Sequence, residues 1–389
     1  MFDDLPTERA AIAHICYGGE GGQLAAVSTL VAEFDKLGFS SAVVALGSPV
    51  VLKEDPGEWS DPRCLVYVSI TRRGDIGSLV RVASAIRRIR PRVILCHSHR
   101  HALAGVVGQV LSGRRPTLVV VEHQSTHLRS KKDDVLSGLA LAVSRGVVFL
   151  TTQYQERYPL RRLQEILGRP GFVVPNGIGA THRRSSGELR LAPKRRRTQI
   201  IGMASRLVPT KEHDVLIRAI HILHSRLGYD KVHLRIAGEG STLQELGALA
   251  EELGVAEFVH FVGHVPSSEI PSFLASLDVY AHATLGEGFS IALLEAAEAG
   301  VPIVVSDVMG VNEFFVDGET AVLVPASNPD AMAAGITRVL DSRVGSRLAS
   351  AAREWVLKNY SSDQMAAGYR AVLAAVDPSG EWLMKAPSR

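Results

Sequence analysis

The sequence predicts an α/β protein made of two doubly wound, Rossmann-like domains, each built on a parallel sheet, on three grounds. Short β-rich runs alternate with segments of helical period, the order that parallel strands with crossover helices require. The alternation stops at an arginine-rich tract and then begins again. With 389 residues, 46% of them hydrophobic, the chain is long and apolar enough for about two or three packed cores.

In chain order the first set of strands is AIAHIC (11–16), SSAVVAL (40–46), CLVYVSI (64–70), RVILCHSH (92–99), TLVVVEH (117–123), GVVFLTT (146–152) and GFVVP (171–175). Each is short, rich in Val and Ile, and bounded by polar or glycine-containing breaks. Between them, Leu24–Leu37 and Leu79–Ile89 repeat apolar residues at helical spacing. The second set is TQIIGMA (198–204), HLRIAGEG (233–240), FVHFVGH (258–264), VYAHA (279–283), PIVVS (302–306) and AVLVP (321–325). Helices over Val215–Leu227, Leu243–Leu253, Ser290–Ala299 and Pro329–Leu340 interleave with it, and Tyr360–Ala375 closes the chain as an apolar-periodic helix. The expected boundaries are a first domain over 1–178, a basic linker over 179–197, a second domain over 198–358, and a C-terminal helix and tail over 359–389 that pack back towards the first domain. The linker carries seven bases and one acid with no aromatic residue between them, which suits an exposed connector rather than a nucleic-acid arm.

Charge is unevenly spread. Residues 1–178 sum to +6 and residues 198–389 to −9, within a total of +3. An acidic second domain does not suit wrapping nucleic acid. The three cysteines, Cys16, Cys64 and Cys96, are too scattered for a disulfide framework or a C-x-x-C pair, so a reducing, cytoplasmic setting is expected. Asp3, Asp4 and Glu8 stand where a signal peptide would carry bases, and no apolar run approaches the ~20 residues of a spanning helix.

Ligands of open parallel sheets bind beyond the carboxyl ends of the strands, which gives weight to the residues that follow each one. Ser290, preceded by Gly288 and Phe289, stands at a helix start whose first N–H groups suit an anion. Glu295 lies on the apolar stripe of that helix, where a charge needs a partner: a ligand's hydroxyl pair, a neighbouring backbone, or an arginine. Arg206 and Lys211, five residues apart in a strand-to-helix loop, are either solvated charges or the cations of a diphosphate cradle. No D-x-D pair is present to hold a bridging metal. His97, His99 and His101 alternate as metal ligands on a strand would, but no cysteine or carboxylate completes a set, and no metal site is expected.

With these residues in view, the run from Met203 to Pro325 resembles the donor half of the retaining glycosyltransferases of family 4. The matching motifs are R-L-x-x-x-K at Arg206–Lys211, IAGEG at Ile236–Gly240, FVG at Phe261–Gly263, E-G-F-S at Glu287–Ser290, Glu295 eight residues after Glu287, G-x-P at Gly300–Pro302, and S-x-x-x-G-x-x-E at Ser306–Glu313. The first half is similar too, through GGQ at Gly21–Gln23, HSH at His97–His99, EHQS at Glu122–Ser125 and VPNGI at Val174–Ile178.

The resemblance implies a GT-B fold, with an acceptor-binding first domain and a donor-binding second domain facing a central cleft. It implies that Arg206 and Lys211 bind the diphosphate of a nucleotide sugar, and that Gly288, Phe289, Ser290 and Ile291 form the adjoining turn, with Ser290 and Ile291 giving N–H groups. Glu295 would hold the ribose hydroxyls, Glu287 would face the donor sugar, Gly21 and Gly22 would close the phosphate, and His123 would contact the sugar near the reacting centre. His97 and His99 are assigned to the acceptor side. The expected activity is retaining, metal-independent transfer of a hexose or N-acetylhexosamine, from a UDP-sugar first and a GDP-sugar next, to a glycan, lipid-linked or small-molecule acceptor, with no cofactor. An epimerase or phosphorylase on the same architecture, or a non-catalytic sugar-nucleotide-binding partner, are the rival readings. The sequence departs from the family pattern at Glu212, where glycine is common, and at Glu298, where a small or apolar residue is usual. Arg81, Arg87, Arg88, Arg90, Arg92, Arg129, Lys131 and Lys132 could rest on an anionic bilayer, which would make the protein peripheral at a membrane, or form a solvated face beside a soluble acceptor.

Overall fold

The computed structural model describes residues 10–18, 22–47, 65–69, 76–111, 116–123, 130–179 and 198–377. Two compact units emerge, one of Met1–Gly177 with Ser362–Arg389 and the other of Ile178–Ser361.

The first unit holds a seven-stranded sheet: β1 (Ile12–Tyr17), β2 (Ser41–Gly47), β3 (Leu65–Ser69), β4 (Val93–Cys96), β5 (Thr117–Glu122), β6 (Gly146–Phe149) and β7 (Gly171–Val173). Their order is β3-β2-β1-β4-β5-β6-β7 and every pairing is parallel, with Ile12 opposite both Ser41 and Val93. β2 and β4 are buried at every residue, because helices cover both faces of such a sheet. Right-handed crossovers put α1 (Gly22–Lys36) on one face and α2 (Ile76–Ile89), α3 (His99–Leu111) and α4 (Lys131–Val143) side by side on the other. Ile15, Ile86, Ile94 and Leu118 form part of the core beneath that second face. Short helices α5 (Thr152–Glu156) and α6 (Arg161–Ile166) follow β6.

The second unit has a six-stranded parallel sheet: β8 (Gln199–Ala204), β9 (Val232–Ala237), β10 (Val259–Gly263), β11 (Val279–His282), β12 (Ile303–Ser306) and β13 (Val322–Val324), ordered β10-β9-β8-β11-β12-β13. Its helices are α7 (His213–Ser225), α8 (Leu243–Glu252), α9 (Ile270–Ser276), α10 (Ile291–Glu298), α11 (Pro329–Leu340) and α12 (Ser342–Asn359). Ile201, Leu216, Leu234, Val279 and Ile336 are fully buried in one core.

The last helix, α13 (Ser362–Val376), belongs to the first unit and packs on α1. Ser362 Oγ donates to Glu33 Oε1 at 2.7 Å, and a Cβ at Gly368 would lie 2.8 Å from Cγ1 of Val174, so the backbone of α13 rests directly on that side chain after β7. Strand expectations change at their carboxyl ends: HLRIAGEG stops at Ala237, GVVFLTT stops at Phe149 with Thr152 opening α5, and RVILCHSH does not stay extended to residue 99. It ends at Cys96, and His99 opens α3.

Candidate active site

In the second unit the chain leaves β8 towards β9 and leaves β11 towards β12, on the other side, so the carboxyl ends of β8 and β11 flank the topological switch point. The loop after β8 is stitched to the IAGEG segment. Ser205 N–H donates to Ala237 O at 2.9 Å and Leu207 N–H to Glu239 O at 2.8 Å. Gly238 has φ 132°, and a Cβ there would lie 2.0 Å from Ser205 O, so only glycine allows the approach. This bracing presents Arg206, which is exposed and makes no hydrogen bond or ion pair through its guanidinium with any described residue.

Lys211 ends a 3-10 turn, Pro209–Lys211, and its Nζ donates to Glu287 Oε1. His282, at the end of β11, donates from Nε2 to the same oxygen at 2.6 Å, and Tyr280 Oη lies 3.4 Å from His282 Nδ1. Lys211 and Glu287 expose only 16% and 9% of their side chains, so their charges are largely withdrawn from water. Burial alone would raise the Glu287 carboxyl, but the Lys211 charge and the bond from His282 outweigh it and bring it down to about 2. Burial lowers His282 more than Glu287 raises it, leaving a neutral imidazole that donates to a carboxylate. The loop 284–286 locks this group to the lysine turn: Leu285 N–H donates to Thr210 O at 3.0 Å, and Thr284 N–H donates to Ser306 Oγ at 3.1 Å.

Ser290 occupies the N-cap of α10 with φ −81° and ψ 110°, but its side chain makes no capping bond. The ring of Phe289 packs on Phe314 and Tyr360 at 4.8 and 5.4 Å, which leaves the backbone of Gly288–Ile291 and the uncommitted Ser290 hydroxyl for an anion. Glu295 needs a correction. It is half-buried, whereas the carboxylate on the covered face of α10 is Glu298. The charge of Glu295 still reaches Tyr280, whose hydroxyl is raised by burial first and then by Glu295 and Glu287. Glu212 explains its own departure from pattern: its φ is 37° and ψ 43°, the left-handed region that glycine enters freely. Here the side chain offsets the strain by accepting from Ser327 N–H at 3.2 Å and from Ser327 Oγ.

The first unit has its switch point between β1 and β4, and histidines occupy it. His97 follows β4 and His123 follows β5. His97 Nδ1 lies 3.1 Å from His123 Nε2, and His97 Nε2 lies 3.1 Å from His14 Nδ1 inside β1. The glutamine of GGQ holds this bend: Gln23 Nε2 donates to His97 O, and Tyr17 N–H donates to Gln23 Oε1 at 2.9 Å. Gly22 is the first residue of α1 and exposed, while Gly21 lies outside the described residues. Burial brings His14 down to about 3 and His123 to about 4, the latter against the adjacent Glu122 charge, and puts His97 well below its ordinary range.

The acceptor-side assignment of His99 is also corrected. The residue is buried, with Nδ1 3.0 Å from Glu122 Oε2 and Nε2 3.2 Å from Asp133 Oδ1, so both ring nitrogens are committed. Asp133 also accepts from Arg100 Nη2 at 2.6 Å and closes a capping box with Ser130 at the start of α4. Burial would raise this carboxyl, but Ser130, Arg100 and His99 lower it strongly. His14 and His282 escaped the sequence reading; each is a titratable residue inside an otherwise apolar strand, which was the only signal available. Among the described residues, no group of three or more His, Cys, Asp or Glu is arranged to hold a metal ion.

Comparison with known proteins bears on both units. Residues 190–355 match the model of the family described as Glycosyl transferases group 1. This stretch is a glycosyl transferases group 1 domain. The chain is 37% identical over 169 residues to a GDP-mannose-dependent alpha-(1-6)-phosphatidylinositol monomannoside mannosyltransferase of Mycolicibacterium smegmatis, a match covering 41% of this chain and 44% of that protein. It is 30% identical over 222 residues to a phosphatidyl-myo-inositol mannosyltransferase of Mycobacterium leprae, covering 57% and 58%. The chain therefore spans about half the length of the relatives it matches. Among solved structures, Anabaena HepE in complex with UDP and glucose superposes with a TM-score of 0.75 at 17% identity, covering 94% of this chain and all of that one. Sucrose-phosphate synthase from Thermosynechococcus elongatus gives 0.73 at 19% identity, covering 94% of this chain and 100% of that one. Beside the group 1 domain, the first unit shares in that likeness, and the fold is GT-B.

Proposed function

We propose that the protein is a retaining glycosyltransferase that moves a hexosyl group from a nucleotide diphosphate sugar without a metal ion. The observation that carries this is the group after β8 and β11: Arg206 exposed, Lys211 paired with Glu287, and the N-terminus of α10 following Glu287 three residues on, in the sequence motif that binds a donor in family 4. Two cations and a helix dipole suit a diphosphate, stabilising the charge that develops as it leaves. The departing diphosphate takes the acceptor's proton, so a front-face attack with retention needs no separate base. Glu287 faces the sugar and Glu295 the ribose, as the resemblance implies.

For the donor we place GDP-mannose ahead of the UDP-sugar expected from sequence. The mannosyltransferases are 37% identical over the matched stretch, whereas the UDP-bound structure shares 17% identity and informs the fold alone. The test is a thermal-shift screen with GDP-mannose, UDP-glucose, UDP-N-acetylglucosamine and ADP-glucose, followed by turnover in EDTA. A donor at 100 times its Kd stabilises by about 2.7 kcal/mol. Stabilisation by none of them, or activity abolished by EDTA and restored by manganese, overturns the reading.

For the acceptor we favour a lipid-linked sugar at an anionic bilayer. On the face formed by α2, α3 and α4, Val80, Leu103, Val110, Val135 and Leu139 are exposed, and α2 and α3 contain no acidic residue. Arg87, Arg88, Lys131 and Lys132 are exposed on the same helices. Apolar side chains with bases and few acids suit an interfacial surface, each base adding about 1 kcal/mol near anionic lipid. Among the described residues no helix is long and apolar enough to cross a membrane. Co-sedimentation with anionic but not neutral vesicles, lost at high salt, is expected; no sedimentation at low salt points to a soluble acceptor.

A further inference from the structure

We propose that His14, His97 and His123 form a directed hydrogen-bond chain that fixes one tautomer of His123, leaving its Nδ1–H as a neutral donor to a ligand oxygen and barring it from acting as a base. The inference rests on the reading of His123 as a sugar-contacting residue.

The geometry leaves few protonation states. His14 Nδ1 and His97 Nε2 are 3.1 Å apart, as are His97 Nδ1 and His123 Nε2. A neutral imidazole has one N–H and one lone pair, so each link needs a single proton between its two nitrogens. Burial lowers all three rings, which keeps them neutral. Three protons then fill two links and one end of the chain. That end is either His14 Nε2 or His123 Nδ1, and the choice sets the direction of both links.

His14 decides it. Its Nε2 is buried with no hydrogen-bond partner, and the ring is wholly covered, lying beside Phe34. A proton there would be a buried donor with nothing to receive it, the rarer and costlier kind of orphan in folded proteins. The third proton therefore sits on His123 Nδ1, and the chain runs His14 Nδ1–H to His97 Nε2 and His97 Nδ1–H to His123 Nε2. His97 cannot turn away easily: its backbone N–H donates to Ile15 O at 2.8 Å, Gln23 holds its carbonyl, and its ring lies edge to edge with His14, nearly coplanar, with centroids 5.4 Å apart and 19° between the planes. His14 and His97 are thus positioning residues, acting on a ligand only through the ring of His123.

With its only lone pair engaged by His97, His123 has no site to accept a proton. What it offers is an N–H dipole aimed by the chain, suited to a hydroxyl or other neutral oxygen.

Nitrogen-15 NMR of histidine-labelled, full-length protein reads the tautomers directly and requires no activity. Protonation of His123 at Nδ1 with His14 unprotonated at Nε2 is the expected result, and His123 protonated at Nε2 overturns the proposal. Kinetics give the second readout. His14→Asn keeps an N–H near the position of Nδ1, whereas His14→Phe keeps the ring shape and loses that donor. The Phe variant should lose about tenfold in kcat with donor KM unchanged, the Asn variant should recover most of it, and equal turnover in both overturns the chain. If His14→Phe fails to fold, the wild-type spectrum still decides. The expected tautomers in a protein that binds and turns over no nucleotide sugar would remove the proposed activity and leave the chain standing.

Discussion

The two switch points share a topology and differ in chemistry. At the β8/β11 point, Lys211 and Glu287 neutralise each other, Arg206 stands exposed in the loop that leads to Lys211, and the neutral His282 supports the carboxylate. At the β1/β4 point three uncharged imidazoles are joined end to end. One presents charged side chains and the other linked neutral rings. Crossover topology decides where a ligand can sit, and the side chains that follow each strand decide what it can be. A diphosphate calls for the first kind of site, and a hydroxyl-bearing group for the second.

The largest expected effects break the charged site. Lys211→Ala removes a proposed phosphate donor and strands the buried Glu287, so it should lose about 2–4 kcal/mol of transition-state stabilisation and also about 3 kcal/mol of folding stability. Arg206→Ala should lose a similar amount in kcat/KM with Tm unchanged, because the exposed guanidinium supports no described residue. Kinetics beside thermal melts check this, and equal Tm losses in the two variants would end the distinction. Within the same site, Glu287→Gln releases Lys211 from its counter-charge, so nucleoside diphosphate should bind at least as tightly while turnover falls. Glu295→Gln should weaken nucleoside diphosphate binding instead. Calorimetric titration of both variants separates these roles, and equal affinity losses would show the pair wrongly assigned.

Acid sharpens the contrast between the units. His14, His101 and His123 sit at about 3, 4 and 4 when folded, against an ordinary 6.5, so the unfolded chain binds more protons as pH falls below 6.5. Their contribution is complete above pH 6.5 and is lost as pH falls towards about 4 for His101 and His123 and about 3 for His14. Glu287, at about 2 against 4.5, keeps its contribution down to pH 4.5 and loses it only below that. Melts from pH 7 to 4.5 should therefore report the histidines, with His213 and His282 adding to the slope from the second unit. His14→Phe should flatten that slope, reducing the stability lost between pH 7 and 4.5 by about 1–3 kcal/mol. An unchanged slope would mean that His14 is not neutral in the fold.

The smallest effect concerns Glu212. Glycine there relieves about 1–2 kcal/mol of left-handed strain but loses two charge-assisted bonds from Ser327, together worth more. Glu212→Gly should be destabilising by about 1 kcal/mol in chemical denaturation, and a gain in stability would reverse that weighing.

The sheets were legible because each strand is a compact apolar run. β1 to β13 all fall on segments picked out by composition and period. The helices were less so. α3 opens at His99 in a segment whose histidines looked like strand alternation, and α12 (Ser342–Asn359) carries enough charge on its exposed side that no apolar stripe stood out. Arg206, Lys211, Glu287 and Ser290 were legible because strand-end loops concentrate function, whereas periodicity could not tell that α10 turns Glu298 inward more fully than Glu295. His14 was invisible for a simpler reason. A histidine within a β-strand has the same local pattern whether it fills space or joins a chain, and only its neighbours across the sheet distinguish the two.

The return of α13 to the first unit makes the second unit an insertion within it, entered at Gly177/Ile178 and left at Ser361/Ser362. A single cut near residue 361 would leave the first unit whole in composition but in two pieces, its closing helix held to α1 only by packing and by contacts such as Ser362 with Glu33. The same helix would then be able to leave, exposing the apolar surface on which Tyr369, Val372 and Leu373 are now buried. The peptide bonds at the two crossings thus act as a tether, keeping the local concentration of that helix high, so a nicked chain should hold together when concentrated and come apart on dilution.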